Sequence, residues 1–128
     1  MVTHFDNGTI TGADFTDAVM LNATFTSATL ANTTLVRAGL AGAVFTSAVF
    51  TAATVAVPGS TATDADFAGA SFSKASLAGL IATNATFDGA TFANTSADSG
   101  YFVGASMAGI QATQSSFEIG RASCRERV

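Results

Sequence analysis

The chain has 128 residues, enough for one domain with one core, and it carries a formal net charge of −4. Charged residues make up only 11% of it, and the acidic balance argues against direct binding to nucleic-acid phosphates or to anionic lipid surfaces. A single Cys and a single His cannot form a disulfide framework or a Cys/His zinc site within the chain, so we expect no metal and no cofactor.

The amino terminus and the most hydrophobic window bear on location. Residues 1–6 contain neither the basic segment nor the apolar run that signal peptides have, which favours the cytoplasm. Residues 38–57 carry no charge, yet they include Thr and Ser. Their large side chains recur every five residues rather than all round a helix. The sequence therefore predicts no membrane span.

An internal repeat of five residues organises nearly the whole chain. A large apolar residue recurs at every fifth position, and a small residue usually stands two positions before this centre. All eleven Phe residues occupy the central position. The first frame comprises Phe5, Ile10, Phe15, Met20, Phe25, Leu30, Leu35, Leu40, Phe45, Phe50 and Val55, and the second comprises Phe67, Phe72, Leu77, Phe87, Phe92, Phe102, Met107 and Phe117.

The two frames are offset by two residues, which is the length of Pro58-Gly59, a pair typical of turns. If this pair bulges outward, with Ala62 as a weak centre, then Phe45 and Phe67 stay in line. We therefore expect a single solenoid domain over residues 3–117 with a two-residue slip at 58–59.

Some later pentads have Ala at the centre. In two of them a large residue stands two positions earlier, at Leu80 and Ile110, which conserves the volume of the core. The pentad of Thr95 and Ala97 shows no such exchange. We expect a thin spot in the core there, unless Tyr101 covers it.

A period of five matches neither the 3.6 residues of a helix nor the two of a strand, so the chain must turn a corner once per pentad. If four pentads close one coil, residues twenty apart stack at about 4.8 Å, the ordinary spacing of strands. One inward column would then run from Phe5 through Phe25 and Phe45, and the next from Ile10 through Leu30. The corners, two residues after each centre, favour residues that tolerate unusual backbone angles: Asn7, Gly12, Asp17, Asn22, Ser27 and Asn32.

Residues 13–17 (ADFTD) and 65–69 (ADFAG) resemble the pentapeptide-repeat pattern, Ala-(Asp/Asn)-(Leu/Phe)-x-x. The resemblance extends over residues 3 to about 117 and implies an all-β fold, a right-handed quadrilateral β-helix of about six coils of four pentapeptides. One departure is that Thr or Ser precedes the centre more often than Asp or Asn. We expect the structural core to contain Phe5, Phe15, Phe25, Leu35, Phe45, Phe50, Phe67, Phe72, Leu77, Phe87, Phe92, Phe102 and Phe117.

Residues 118–128 break the pattern. They hold three of the five basic residues, both Glu residues and the only Cys. One back-translation of this peptide matches a common short-read sequencing adapter, so we expect the tail to be an artefact of translation. The repeat body then carries Arg37 and Lys74 against seven Asp, a net charge of −5. A last coil without its natural cap would expose unpaired strand edges, which predicts self-association through the C-terminal coil.

The side chains suggest no catalytic site, so we expect no enzyme activity. His4 stands in the first pentad, Cys124 lies in the tail, and the Asp residues scatter over three sides of the expected coil. The sequence favours a non-catalytic scaffold or protein-interaction module with a protein partner. The resemblance implies one alternative, a DNA mimic that engages gyrase. Ordered threonines suggest another, binding to ice or a crystal surface, but residues 9–11 and 24–26 would fall on different sides.

Overall fold

The period of five residues becomes a coil of four pentads in the computed structural model, which describes residues 2–55 and 60–115. Parallel β-bridges join residues twenty apart, as His4 pairs with Thr24 and Thr24 with Val44. Across residues 56–59 the separation becomes twenty-two, so that Val44 pairs with Asp66, and it returns to twenty at Thr61 and Ile81. The two extra residues therefore leave the stacking of the coils in register, while Pro58-Gly59 itself lies outside the described residues.

Four faces run along the solenoid, and each is named here by its central residues. Face A is centred on Phe5, Phe25, Phe45, Phe67, Phe87 and Met107, and face B on Ile10, Leu30, Phe50, Phe72, Phe92 and Ala112. Face C is centred on Phe15, Leu35, Val55, Leu77 and Ala97, and face D on Met20, Leu40, Ala62, Ala82 and Phe102.

The strands proper all lie on face B. They are β1 (Val49–Thr51), β2 (Ser71–Ser73), β3 (Thr91–Ala93) and β4 (Gln111–Thr113). They form one parallel sheet in the order β1-β2-β3-β4, with Phe50, Phe72, Phe92 and Ala112 in register. The other three faces are held by single bridges in the same parallel sense, and none of the described residues is helical.

Between residues 23 and 107 the core contains the central residue of each described pentad and the residue two positions before it. On face A, successive rings from Phe5 to Phe87 stack at 4.7 to 5.0 Å between centroids, with planes within 13° of parallel. On face B the rings of Phe50, Phe72 and Phe92 stack at 4.9 and 5.1 Å. The small residues, such as Ala28 and Ala48, are fully buried, and their small size leaves room for the rings of the adjacent faces.

The residues expected in the core fall into three groups. Phe5 and Phe15, in the first coil, are partly buried and pack against the core. Phe117 lies outside the described residues. The others are buried: Phe25, Leu35, Phe45, Phe50, Phe67, Phe72, Leu77, Phe87, Phe92 and Phe102.

The pentad expected to be thin is closed by other means than Tyr101. Thr95 and Ala97 are both buried, whereas Tyr101 lies on the outside with 41% of its surface exposed. The ring of Phe102 lies against Gly100, so closely that a Cβ at residue 100 would stand 2.3 Å from Cε2. The Thr95 hydroxyl donates to the Phe72 carbonyl of the preceding coil. Gly at position 100 therefore admits a ring that a larger residue would exclude.

Every described corner residue, two positions after a centre, has a positive φ, between 52° and 74°. At many corners the N–H group three residues after a centre donates a hydrogen bond to the carbonyl of that centre. The Gly8 N–H, for example, donates to Phe5 O at 3.0 Å. A positive φ at the third residue is the signature of a type II turn. The expectation of tolerant residues at Asn7, Gly12, Asp17, Asn22, Ser27 and Asn32 is confirmed. Seven corners nevertheless hold other residues than Gly, Asn or Asp: Ser27, Arg37, Ser47, Ala52, Lys74, Ser99 and Gln114.

The ring column should dominate stability. Phe87→Ala is expected to lower the free energy of unfolding by about 3 to 5 kcal/mol, because a fully buried ring is removed and the rigid coils cannot close the cavity. Phe5→Ala, at the partly buried end of the same column, is the matched control and should cost less. Chemical denaturation of both variants measures this, and equal costs would contradict the role assigned to the column.

The corners offer a test of backbone strain. Ala52 has φ 55°, a conformation that costs an L-residue about 1 to 2 kcal/mol and costs glycine almost nothing. Ala52→Gly should therefore raise the free energy of unfolding by about 0.5 to 1 kcal/mol, after allowance for the extra entropy of the unfolded chain. Ala48→Gly is the control, and it should lower stability because it removes a buried methyl group without relieving strain. Two changes of the same sign would refute the explanation.

Candidate interaction surfaces

Face D carries four of the five large hydrophobic residues that are exposed in the described chain. The residues on either side of its centres point outward, and Val19 and Leu21 are 75% and 54% exposed in the first coil. Tyr101 and Val103 are 41% and 42% exposed in the last described coil of this face. Of the large hydrophobic residues exposed in the described chain, only Val2 lies elsewhere. The coil places both pairs on one face, although they are about eighty residues apart in sequence and four coils apart along the rod.

Between these two apolar ends, face D is small and uncharged. Its outward residues in the intervening coils are Gly39, Ala41, Thr61, Thr63, Ile81 and Thr83. Within the described chain, the charged residues that border face D stand only at the corners of this face. On one edge Arg37 pairs with Asp17 through two bonds, Nε to Oδ1 at 2.6 Å and Nη2 to Oδ2 at 2.7 Å. Asp64 stands on the other edge.

Face B is also uncharged along its described length, but it is lined with hydroxyl groups. Its outward residues are Thr9, Thr11, Thr29, Ala31, Val49, Thr51, Ser71, Ser73, Thr91, Ala93, Gln111 and Thr113. Thr24 and Thr26 lie on face A, so the two Thr pairs that the sequence singles out do fall on different sides. Sequence reasoning missed the continuity of face B, because Ser, Ala and Val interrupt the threonines along it.

Most of the carboxylates bind the backbone of the solenoid. Asp6 Oδ1 accepts from the Thr26 N–H in the next coil at 2.8 Å, and Asp88 Oδ1 accepts from the Ala108 N–H at 2.8 Å. Asp14 and Asp66 each accept from an N–H two residues on, at 2.9 Å. These carboxylates therefore stabilise coils and corners, and they do not form a column of free charges.

One cluster brings together the residue types of a catalytic triad. On face A, His4 Nδ1 lies 2.7 Å from Thr24 Oγ1 and 3.7 Å from Asp6 Oδ2, while Thr24 donates to Asp6 at 2.9 Å. Because the hydroxyl proton goes to the carboxylate, the imidazole cannot take it as a general base. The His4 and Asp6 side chains are 65% and 37% exposed. The cluster was not visible in sequence, because Thr24 meets His4 only when the coil closes.

Within residues 2–55 and 60–115, no three His, Cys, Asp or Glu side chains lie close enough together to hold a metal ion. The same residues contain no helix of the length and hydrophobicity that crossing a membrane requires. Cys124 lies outside them.

Three aspartates have a lowered pKa, each through a local hydrogen bond. The main causes are the Thr26 N–H for the pKa of Asp6, the Thr16 hydroxyl for the pKa of Asp14, and the Arg37 guanidinium for the pKa of Asp17. The interaction with Asp17 raises the pKa of Arg37 in turn. The three aspartates therefore stay charged in the folded chain at a pH where the same groups of the unfolded chain would begin to bind protons.

Stability should therefore decrease in acid. The contribution of these aspartates is fully present above the ordinary Asp value of 3.8 and is lost as the pH falls through the lower folded values. Urea denaturation between about pH 5 and about pH 2 should show this loss. Asp17→Asn, which cannot titrate, should show a shallower loss than the parent chain. Stability that rises on acidification would contradict the assignment.

The comparisons with known proteins agree with this architecture. The sequence matches the family model for pentapeptide repeats in eight copies, over residues 5–38 and 63–96, just over half of the chain. No curated protein matches the chain in sequence. A pentapeptide repeat protein from the thylakoid lumen of Arabidopsis thaliana is similar in structure, with 27% identity and a TM-score of 0.50 over 77% of this chain and 68% of that one.

QnrB1, a plasmid-mediated fluoroquinolone resistance protein, is similar in fold, with 16% identity and a TM-score of 0.53 over 91% of this chain and 71% of that one. The predicted fold class, a quadrilateral β-helix, is confirmed by these neighbours together with the parallel all-β ladder described above. The repeat copies, the coil of four pentads and the similar structures show that the chain belongs to the pentapeptide-repeat family.

Proposed function

We propose that this chain is a non-catalytic scaffold that binds a protein partner through face D. The observation that supports this most is the position of Val19, Leu21, Tyr101 and Val103, four exposed apolar side chains on one face of a four-sided rod. Exposed apolar residues scattered singly need no explanation, but these four form two pairs on one face without outward charges, and exposed apolar patches mark interaction sites.

The composition of face D fits a protein interface. The centres of such interfaces are depleted of charged residues and enriched in aromatic ones, and Tyr101 combines a large apolar ring with a polar hydroxyl. The Arg37–Asp17 pair and Asp64 stand at the edges, where an interface is polar and still hydrated. The backbone beneath is held by coil-to-coil hydrogen bonds, so the face is preorganised and loses little entropy on binding.

The DNA-mimic alternative requires more charge than the rod carries. Face A spans five steps between coils from His4 to Ser106, about 24 Å at the ordinary strand spacing. A net charge of −5 over this length is one charge per roughly 5 Å, whereas duplex DNA carries one per roughly 1.7 Å. The carboxylates of Asp6, Asp66 and Asp88 also accept hydrogen bonds from the solenoid itself. These features favour face D over the acidic residues.

Paired substitutions on two faces test the proposal. Leu21→Lys with Tyr101→Lys places two charges on face D, and Thr11→Lys with Thr91→Lys places the same charges on face B, all at exposed positions. The face D variant should lose its partner by about tenfold or more in affinity, because buried aromatic anchors contribute most to binding. The measurement is quantitative affinity capture from the source cells, with melting temperatures to verify the fold.

The control and the contrary outcome are both informative. The face B variant should capture the same partner as the parent chain. A partner retained by the face D variant but lost by Asp66→Asn with Asp88→Asn would favour the acidic alternative, with gyrase as the candidate to assay, and would reject face D as the binding surface.

A further inference from the structure

The outward residues of face D change in size along the rod in a way that matches the face to itself. The bridges from Val19 to Tyr101 define five coils on this face, of which the third holds Thr61 and Thr63. The first and fifth coils carry large side chains. The second carries only Gly39 and Ala41, whereas the fourth carries Ile81 and Thr83.

We propose that face D binds a second copy of this chain, in an antiparallel, face-to-face dimer whose two-fold axis runs parallel to the segment of residues 60–64. This inference rests on the proposed function, since it names the partner of the same surface. The axis reverses the order of the coils and keeps the direction across the face. The first coil therefore meets the fifth of the second copy, the second coil meets the fourth, and the third meets itself.

The pairing of the second coil with the fourth is complementary in volume. Ile81 of one copy stands opposite Gly39 of the other, and Thr83 stands opposite Ala41, so a larger side chain faces a hollow. Val19 and Leu21 meet Tyr101 and Val103 of the second copy, which covers the most exposed apolar surface of both chains.

Most positions at the edges of face D also pair without like charges. At the corners leading to face A, Asn22 would stand opposite Gly104 and Gly42 opposite Asn84, all of them uncharged. The Arg37–Asp17 pair would face the uncharged Gly79 and Ser99. These four residues bring no like charges together.

Among the charged residues at the edges of face D, only Asp64 would face the same residue of the second copy, close to the two-fold axis. Two carboxylates near each other weaken an association. This repulsion gives the proposal a specific signature, because it exists only if the third coils pair.

The other two-fold arrangement of the same face is less well packed. An axis along the rod would set each coil against the same coil of the second copy. Gly39 would then face Ala41 across a gap, while Tyr101 and Val103 crowded together at one end. A gap at the centre forfeits contacts on both sides, so the antiparallel arrangement is favoured.

The dimer should be weak and dependent on concentration. Four steps of about 4.8 Å give a face roughly 19 Å long and one pentad wide, so the interface is smaller than the usual size range and the dimer is transient. Tyr101→Lys should raise the dissociation constant about tenfold or more, as expected for the loss of an aromatic anchor. Asp64→Asn should lower it, and added salt should lower it in the parent chain. Sedimentation across a concentration series measures these changes.

Thiol cross-linking with a short bis-maleimide tests the register, in a Cys124→Ser background so that each introduced thiol is alone. Facing positions lie about 10 Å apart, the spacing of packed sheets, so Thr61→Cys should cross-link with itself. Val19→Cys and Val103→Cys, which leave Tyr101 in place, should cross-link only when the two chains are mixed, because each is roughly 19 Å along the face from its own copy. Thr91→Cys, exposed on face B, measures random collision.

Each outcome decides a separate point. Cross-links in this pattern, weakened by Tyr101→Lys, support the dimer. Self-linking of Val19→Cys would indicate the parallel arrangement and overturn the proposal. Open-ended growth that Tyr101→Lys does not affect would indicate association through the solenoid ends and would also overturn it. A strictly monomeric chain overturns it too. If the chain is monomeric, the proposal that face D binds a protein still stands when the Lys variant of face D loses another partner. It is rejected when that variant loses no partner.

Discussion

The constraint on which this structure depends is the corner. A chain that turns once every five residues needs one residue per pentad in the left-handed region, and all the described corners meet that demand, at φ between 52° and 74°. The turn directs the centre of each pentad inward and the residues on either side of it outward. Stacked rings, buried alanines and four separate faces all follow from this alternation. Corners held by Ala52, Arg37 or Lys74 show that the stacking of the coils is strong enough to impose the conformation on unsuited residues.

Much of this architecture could be predicted from the sequence, because the repeat encodes it locally. The position of each Phe identifies the inward side, and the Asn, Gly and Asp residues two positions later identify the corners. The offset between the two frames correctly indicates that Phe45 and Phe67 stay in line, and their rings stack at 5.0 Å. Parallel ladders then require only that the period be constant.

The candidate site could be predicted only in part, because it consists of contacts between coils. The sequence shows Val19 and Tyr101 in two short apolar runs about eighty residues apart, and only the closed coil places them on one face. Phe102 fits because position 100 is Gly. This requirement comes from where the Phe102 ring lies and not from the five-residue period, so the repeat could not reveal it. The cluster of His4, Asp6 and Thr24 likewise joins residues a full coil apart.

The change of register from twenty to twenty-two residues has a consequence for how such a chain can evolve. Since Val44 and Asp66 pair as well as residues twenty apart do, the solenoid accepts two extra residues within one coil, provided that the following pentads resume their phase. An insertion within a pentad would instead turn every later side chain from one face to another. Gene duplication in units of a whole coil, twenty codons, adds length without altering any face. Such a gene can lengthen or shorten its binding surface in discrete steps while each surviving coil keeps its neighbours.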